Sequence, residues 1–91
     1  MAKHLDLKIY GKVQGVLFRQ KAKEKANSLK LGGYAKNLSD KSVLIEIEGD
    51  EAAVEEFKQW CKEGPLHAEV ERVTESTAPV RGYHSFEIYY I

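Results

Sequence analysis

The fold follows from one continuous stretch near the start of the chain, Leu5-Asp6-Leu7-Lys8-Ile9-Tyr10-Gly11-Lys12-Val13-Gln14-Gly15-Val16-Leu17-Phe18-Arg19. Its first half alternates apolar and polar residues, which is the period of a strand with one buried face. From Phe18 to Leu29 apolar residues instead recur at spacings of three and four, which predicts an amphipathic helix stopped by Gly32-Gly33. The glycines at positions 11 and 15 therefore lie where a strand passes into a helix.

A strand-to-helix junction of this kind is a natural anion site. Backbone N–H groups at a helix start have no partner within the helix and carry the positive end of its dipole. Gly15 allows the loop to curl until several of these groups point inward, and Arg19 adds a planar, permanently charged group that suits two phosphate oxygens. The stretch therefore predicts a local site for a phosphate-like anion.

The middle of the chain predicts a hairpin followed by a second helix. Residues 34–38 and 43–48 read as strands on either side of a polar turn at 39–42. Asp50 is placed to cap a helix whose apolar stripe ends at Gly64-Pro65. Trp60 and Cys61 lie on that stripe, and we expect both to be packing residues.

Two further strands complete the predicted fold. Residues 68–76 require a β-bulge because Val70 and Val73 are three positions apart, and residues 85–91 supply the last strand. The inward-facing residues of that last strand should be Phe86, Ile88 and Tyr90. The order β-α-β-β-α-β plus a final strand predicts a ferredoxin-like α+β fold, with both helices on one face of a mainly antiparallel sheet.

Composition bounds the class of protein. The 91 residues suit one small domain, 1–91, and 14 basic residues balance 14 acidic ones. Because nucleic-acid and anionic-membrane partners require clustered excess basic charge, we expect neither. One cysteine excludes an internal disulfide and favours a reducing compartment. Since no apolar run is long enough for a signal peptide or a membrane span, we expect a soluble cytoplasmic protein. A monomer is the default expectation for its oligomeric state.

Two segments resemble a known family. The stretch from Gly11 to Arg19 fits the pattern Gly-x-Val-Gln-Gly-Val-x-Phe-Arg at every specified position, and Gly33-Tyr34-Ala35-Lys36-Asn37-Leu38 followed by Ser42-Val43 resembles the family's second block. The chain is thereby similar to the acylphosphatases over essentially its whole length. The resemblance implies a ferredoxin-like enzyme that hydrolyses small acyl phosphates to carboxylate and inorganic phosphate, without a metal or other cofactor.

The resemblance also implies roles for particular residues. Carboxylate is already a stable leaving group, so the enzyme has only to hold the phosphoryl oxygens and place a water in line. Arg19 would bind phosphate through its guanidinium group, and Asn37 would orient the attacking water. The backbone cradle would comprise Gln14, Gly15, Val16, Leu17, Phe18 and Arg19. We expect Gln14 and Val16 to act chiefly through their backbone and Phe18 to lie in the core.

This sequence departs from the family pattern at three places. Leu17 stands where many relatives carry glycine, and Tyr34 replaces a frequent tryptophan. The turn Ser39-Asp40-Lys41 lacks the proline and glycine common in relatives, so Lys41 requires a strained or different turn. Such a turn could displace Asn37 and lower kcat.

Other functions remain open from the sequence. The main alternative is a domain of the same fold that binds phosphate or acyl phosphates without turning them over. RNA recognition is disfavoured because the third strand offers Leu44, Glu46 and Glu48 where aromatic residues would be needed. The three histidines show no metal-ligand spacing, and we expect all of them on the surface; they are His4, His67 and His84. Because every identifiable contact goes to phosphate, we expect loose specificity for the acyl group.

Overall fold

The computed structural model describes residues 1–90 and shows two helices packed on a five-stranded sheet. The elements in chain order are β1 (Ala2–Lys12), α1 (Phe18–Ser28), β2 (Gly32–Asn37), β3 (Val43–Asp50), α2 (Glu51–Glu63), β4 (Glu69–Thr77) and β5 (Phe86–Tyr89). The strands lie in the order β4-β1-β3-β2-β5, with β2 and β5 parallel and the other neighbours antiparallel. This confirms the predicted ferredoxin-like α+β architecture and its element order.

The sheet is built around β1, which pairs with β3 on one side and with β4 on the other. Leu5, Leu7 and Ile9 are fully buried, as their alternation predicted. The helix residues buried against the sheet are Phe18, Ala22 and Ala26 of α1 and Val54, Phe57 and Cys61 of α2. The core thus lies between the two helices and one face of the sheet, and the packing roles of Phe18 and Cys61 are confirmed.

Helix α1 ends earlier than the sequence predicted. Ser28 is its last residue, because Lys30 adopts a left-handed backbone with φ 59° and the N–H of Leu31 donates to Ala26 O at 2.9 Å. This is a Schellman motif with lysine in the place usually taken by glycine. Gly32 and Gly33 therefore begin β2 instead of stopping the helix, and a Cβ at Gly33 would collide with the carbonyl oxygen of Glu46 across the ladder.

The second half of the fold agrees more closely with the sequence. Asp50 caps α2 by accepting a hydrogen bond from the N–H of Ala52 at 3.2 Å. In the β1–β4 ladder Tyr10 pairs with Arg72 and Gly11 with Val70, so one residue of β4 is left over. The predicted bulge is therefore present, and it lets Val70 and Val73 both pack against the core.

The last strand is shorter than predicted. Phe86 is buried and Ile88 half-buried, but Tyr90 follows the end of β5 and is 72% exposed. The prediction that Tyr90 faces inward is therefore wrong. Ile91 lies outside the described residues.

The sheet face away from the helices carries a buried polar cluster. His4 is 1% exposed, and its two ring nitrogens lie 2.7 Å from Glu48 Oε1 and 2.9 Å from Asp6 Oδ1. The prediction of a surface histidine is therefore wrong at this position, although His67 and His84 are exposed. The alternation of β1 gave no sign of the burial, because the covering segment comes from residues 78–85.

Glu48 fastens that covering segment to the sheet. Its two carboxylate oxygens accept hydrogen bonds from the backbone N–H groups of Arg81, Gly82 and Tyr83 at 2.7 to 2.8 Å. Burial opposes the charged form of Glu48, but these N–H groups and His4 outweigh burial and lower the pKa of its carboxyl. For His4, burial is likewise outweighed by the hydrogen bonds to Glu48 and Asp6, which raise its pKa above 6.5.

The raised pKa of His4 predicts that stability declines on the alkaline side. The protonated ring stabilises the fold fully below pH 6.5, and that contribution is lost as the pH rises through the folded-state pKa. We expect the free energy of unfolding, from urea titrations at about pH 6 and about pH 9, to fall by on the order of 1 kcal/mol. His4→Gln should be less stable at the lower pH and should lose the decline, whereas the exposed control His84→Gln should keep it. A decline that persisted in His4→Gln would assign it to other groups.

Candidate active site

A cavity of about 260 Å³ opens where β1 passes into α1 and β2 ends. Its lining residues are Val13, Gly15, Leu17, Phe18, Arg19, Gln20, Asn37 and Tyr90. Arg19 and Asn37, the two side chains singled out from the sequence, therefore meet at one cavity together with Gly15, Leu17 and Phe18. Gln14 and Val16 belong to the same loop but do not line the cavity.

The loop before α1 curls through alternating backbone conformations. The φ angle is 75° at Gly15 and 61° at Leu17. Alternation of this kind turns successive N–H groups toward one concave side. A Cβ built on Gly15 would have no heavy atom within 4 Å, so a side chain would not clash there. Glycine is favoured at this position because of its positive φ.

The start of α1 differs from the start of α2. Among the described residues no side chain caps α1, its N-cap is Leu17, and its first turn contains no acidic residue. Helix α2 instead begins with Asp50 as its cap and Glu51 in its first turn. The first N–H groups of α1 are therefore left for another acceptor, and the positive end of its dipole lies at the cavity.

Arg19 lies in the first turn of α1 and is held from the other end of the chain. Its Nη1 donates to the carbonyl oxygen of Tyr89 at 2.9 Å, and its guanidinium carbon lies 4.7 Å from the ring centroid of Tyr90. One of five N–H donors is thereby used to fix the group, and the remaining donors are left for a ligand. The stacked ring supports the cation without neutralising it.

Asn37 is the last residue of β2 and pairs across the ladder with Val43. Its Oδ1 is buried and has no hydrogen-bond partner within residues 1–90. A buried polar atom without a partner costs about 1–3 kcal/mol, and such groups call for an explanation when they occur in a native structure. Asn37 is thus more than the simple turn residue that its sequence context alone suggests.

Gln14 also makes side-chain contacts, which the sequence prediction of a chiefly backbone role did not include. Its Nε2 donates to the carbonyl oxygens of Leu38 and Ser42, each at 2.9 Å. These two carbonyls flank the turn that follows Asn37. The missed signal was long-range, since nothing near Gln14 in sequence indicates that the β2–β3 hairpin lies within reach.

The β2–β3 turn adopts the strained form that its sequence predicted. Lys41 has φ 77°, a conformation usually occupied by glycine or asparagine. Asp40 stabilises the turn through the hydroxyl and backbone N–H of Ser42 and through Lys8, whose Nζ lies 2.9 Å from Oδ2. The Ser42 hydroxyl, followed by Lys8, holds the pKa of the Asp40 carboxyl well below its usual range.

Tyr90 is a cavity residue that the sequence prediction missed. Its exposed ring stacks on Arg19 and lines the cavity. Only the parallel pairing of β5 with β2 brings the end of the chain to α1, and no local pattern encodes that contact.

A possible metal-binding group lies in the polar cluster, away from this cavity. Single ligand atoms of His4, Asp6 and Glu46 lie within 4.8 Å of one another. Glu46 Oε1, however, already pairs with Nη1 of Arg81 at 2.8 Å and accepts from the hydroxyl of Tyr83 at 3.1 Å. A cation there would face a guanidinium group, so the cluster is best understood as an internal ion-pair network.

The fold and the cavity define a class of protein, a ferredoxin-like domain with an uncapped helix start, an arginine and an asparagine around one opening. The sequence model of the acylphosphatase family matches residues 5–88. The chain is 41% identical over 90 residues to an acylphosphatase of Legionella pneumophila strain Paris, covering 97% of this chain and 99% of that one.

Solved structures agree with the sequence comparison. An acylphosphatase from Bacillus subtilis matches with a TM-score of 0.93 and 33% identity, covering 99% of this chain and 100% of that one. An acylphosphatase from Coxiella burnetii gives the same TM-score and identity and covers 97% and 93% of the two chains.

The chain belongs to the acylphosphatase family. Its activity is that of an acylphosphatase, with acyl phosphates as the class of substrate and phosphate as a product. Within residues 1–90, none of the helices has the length and apolar character needed to cross a bilayer.

The Gln14 contacts predict a loss of stability in Gln14→Ala. The substitution removes two hydrogen bonds between the loop and the hairpin, and we expect the free energy of unfolding to fall by about 1–2 kcal/mol in urea titrations. Gln59→Ala, at an exposed position of α2, should change it by less than about 0.5 kcal/mol. Equal stabilities of the two variants would mean that Gln14 does not hold the hairpin.

Proposed function

We propose that this acylphosphatase acts as a single domain, residues 1–91, and carries out its reaction at the cavity between the 13–17 loop, the start of α1 and Asn37. One observation carries the proposal. Arg19 and Asn37 come from different elements, yet both line the same cavity beside an uncapped helix start. A cation, an amide and free N–H groups around one opening are what binding and attack at a phosphoryl group require.

The phosphoryl group binds at the helix start. Three of its oxygens accept from backbone N–H groups of residues 14–19 and from the free donors of the Arg19 guanidinium. The carbonyl oxygen of Tyr89 and the ring of Tyr90 hold that guanidinium in place, so little side-chain entropy is lost when phosphate arrives. The bound anion also offsets the unfavourable placement of a cation at a helix N-terminus.

Asn37 positions the attacking water. Its buried Oδ1 lacks a donor, and torsion about χ2 of an asparagine is soft enough to bring this oxygen to a water in the cavity. An amide cannot remove a proton, but the loose transition state of phosphoryl transfer needs little deprotonation of the nucleophile. Correct placement is then the main contribution that Asn37 makes.

The reaction needs no metal and no general acid. The bond that breaks joins phosphorus to a carboxylate oxygen, and the carboxylate leaves as a stable anion without being protonated. The charge that develops on the phosphoryl oxygens is met by the guanidinium group and the backbone N–H groups, which are already in position. The cavity of about 260 Å³ is of a size that suits small acyl phosphates.

We further propose that the chain is a cytoplasmic monomer. One chain by itself supplies a complete core between its helices and its sheet. The chain has one cysteine and so no internal disulfide, which is what a reducing compartment favours. The Cys61 thiol is fully buried, and burial raises its pKa and suppresses the reactive thiolate.

The direct test is hydrolysis of benzoyl phosphate by the purified chain in excess EDTA, with inhibition by inorganic phosphate measured alongside. Turnover that is unaffected by EDTA and is competitively inhibited by phosphate would support the proposal. Turnover abolished by EDTA and restored by a divalent cation would overturn the metal-free mechanism. A folded chain that binds phosphate without turnover would support the alternative of a binding module.

Arg19→Ala should lower kcat/KM by about a hundredfold or more and abolish inhibition by phosphate. Arg19→Lys should also have a severely lowered kcat/KM, because an ammonium group cannot donate two parallel hydrogen bonds to phosphate oxygens as a guanidinium group does. Arg72→Ala is a matched control, since that arginine also stacks on a tyrosine, Tyr10, at 4.0 Å but does not line the cavity. Phosphate inhibition that survives in Arg19→Ala would place the phosphate site elsewhere.

Asn37→Ala should lower kcat by roughly a hundredfold and leave the inhibition constant for phosphate nearly unchanged, because it removes positioning of water and not phosphate binding. The free energy of unfolding should not fall, since a buried oxygen without a partner is removed. The exposed Asn27→Ala serves as the control. Weaker phosphate inhibition with unchanged kcat would make Asn37 a phosphate ligand.

A further inference from the structure

Leu17 is poorly explained by folding alone. Its φ of 61° is unfavourable for a branched apolar residue, and leucine is among the poorest residues at a helix N-cap. Its side chain is 62% exposed, so core burial does not compensate. The left-handed backbone of Leu17 helps to turn N–H groups toward the cavity, but it does not account for an exposed apolar side chain in the cavity lining.

The cavity lining contains two chemically different sets of residues. Arg19, Gln20 and Asn37, with the backbone of Gly15, are polar, and the proposed function uses Gly15, Arg19 and Asn37 for phosphate and water. The remaining apolar lining, here termed the acyl wall, comprises Val13, Leu17, Phe18 and Tyr90. Val13 and Phe18 are almost fully buried, whereas Leu17 and Tyr90 are largely exposed and free to contact a ligand.

An acyl phosphate has the same division. Its phosphoryl group is anionic, and its acyl group is apolar when it carries an aryl or a branched alkyl substituent. With the phosphoryl group at Arg19, the ring of Tyr90 lies directly beside it, because the guanidinium carbon is 4.7 Å from the ring centroid. The acyl substituent then lies within reach of apolar surface.

We propose that the acyl wall binds the acyl substituent, and that Leu17 and Tyr90 make the enzyme prefer aryl and branched acyl phosphates over acetyl phosphate. This inference rests on the proposed function, since it requires the phosphoryl group at Arg19. It differs from the sequence-based expectation of loose acyl specificity, which rests on phosphate contacts alone. Leu17 and Tyr90 are specificity-determining residues; neither takes part in the transfer itself.

The test compares kcat/KM for benzoyl phosphate with kcat/KM for acetyl phosphate, using the full chain. The ratio of the two constants is compared between variants, so the intrinsic reactivities of the two substrates cancel. Leu17→Asn should lower the ratio by about tenfold, because asparagine tolerates the left-handed backbone but is polar. Leu17→Met should retain the ratio, and Tyr90→Ser should lower it.

Leu66→Asn is the matched control, because Leu66 is 82% exposed but does not line the cavity. This variant should have the same ratio of kcat/KM for benzoyl phosphate to kcat/KM for acetyl phosphate as the wild type. Ratios unchanged in both Leu17→Asn and Tyr90→Ser would overturn the proposal.

Binding of benzoylphosphonate and acetylphosphonate, which cannot be hydrolysed, separates this proposal from the proposed function. Tighter binding of the benzoyl compound that is lost in Leu17→Asn would support the acyl wall even without turnover, whereas equal binding of the two compounds by the wild type would overturn it.

Discussion

The first backbone N–H groups of an α-helix have no acceptors within that helix. Within residues 1–90, those of α1 also lack a side-chain cap, and they lie at the cavity. Helix α2 resolves the same problem internally, with Asp50 and Glu51. Helix α1 has Leu17 as its N-cap and Arg19 in its first turn, so its start favours an anion from outside. The strand that precedes it, β1, is paired on both sides and packs against α2, which fixes the position of this opening relative to the rest of the sheet.

Opposite ends of the sheet contribute to that opening. At one end Glu48 accepts three backbone N–H groups from residues 81–83, and this fastens the connection between β4 and β5 to the sheet. The connection directs β5 alongside β2 in parallel, and its carboxyl end then reaches α1. The carbonyl oxygen of Tyr89 and the ring of Tyr90 can hold Arg19 only because of this path. A buried ion-pair network far from the cavity thereby helps to position its principal cation.

The sequence predicted what local patterns encode and missed what distant contacts decide. The element order, the bulge in β4 and the cap at Asp50 were predicted from periodicity and capping, and the meeting of Arg19 with Asn37 was implied by the family resemblance. The burial of His4 was missed, because the segment that covers it follows more than seventy residues later in the chain. The end of α1 was misplaced for a different reason. Lys30 adopts the left-handed conformation that composition assigns to glycine, and a Schellman motif compensates for the strain.

Backbone strain is distributed in a way that links stability to the site. Among residues 1–90, four non-glycine residues have positive φ, and two of them, Leu17 and Lys41, lie in the loop before α1 and in the β2–β3 turn that follows Asn37. Gln14 joins those two loops through its hydrogen bonds to Leu38 and Ser42, so the contacts between the loops offset part of the cost of their conformations. Glycine at either strained position would relieve the backbone but loosen a loop that has to hold its neighbours within a fraction of an ångström. Two of the four strained conformations thus belong to the loops that carry the N–H groups and follow Asn37, which is the usual relation between strain and function in enzymes.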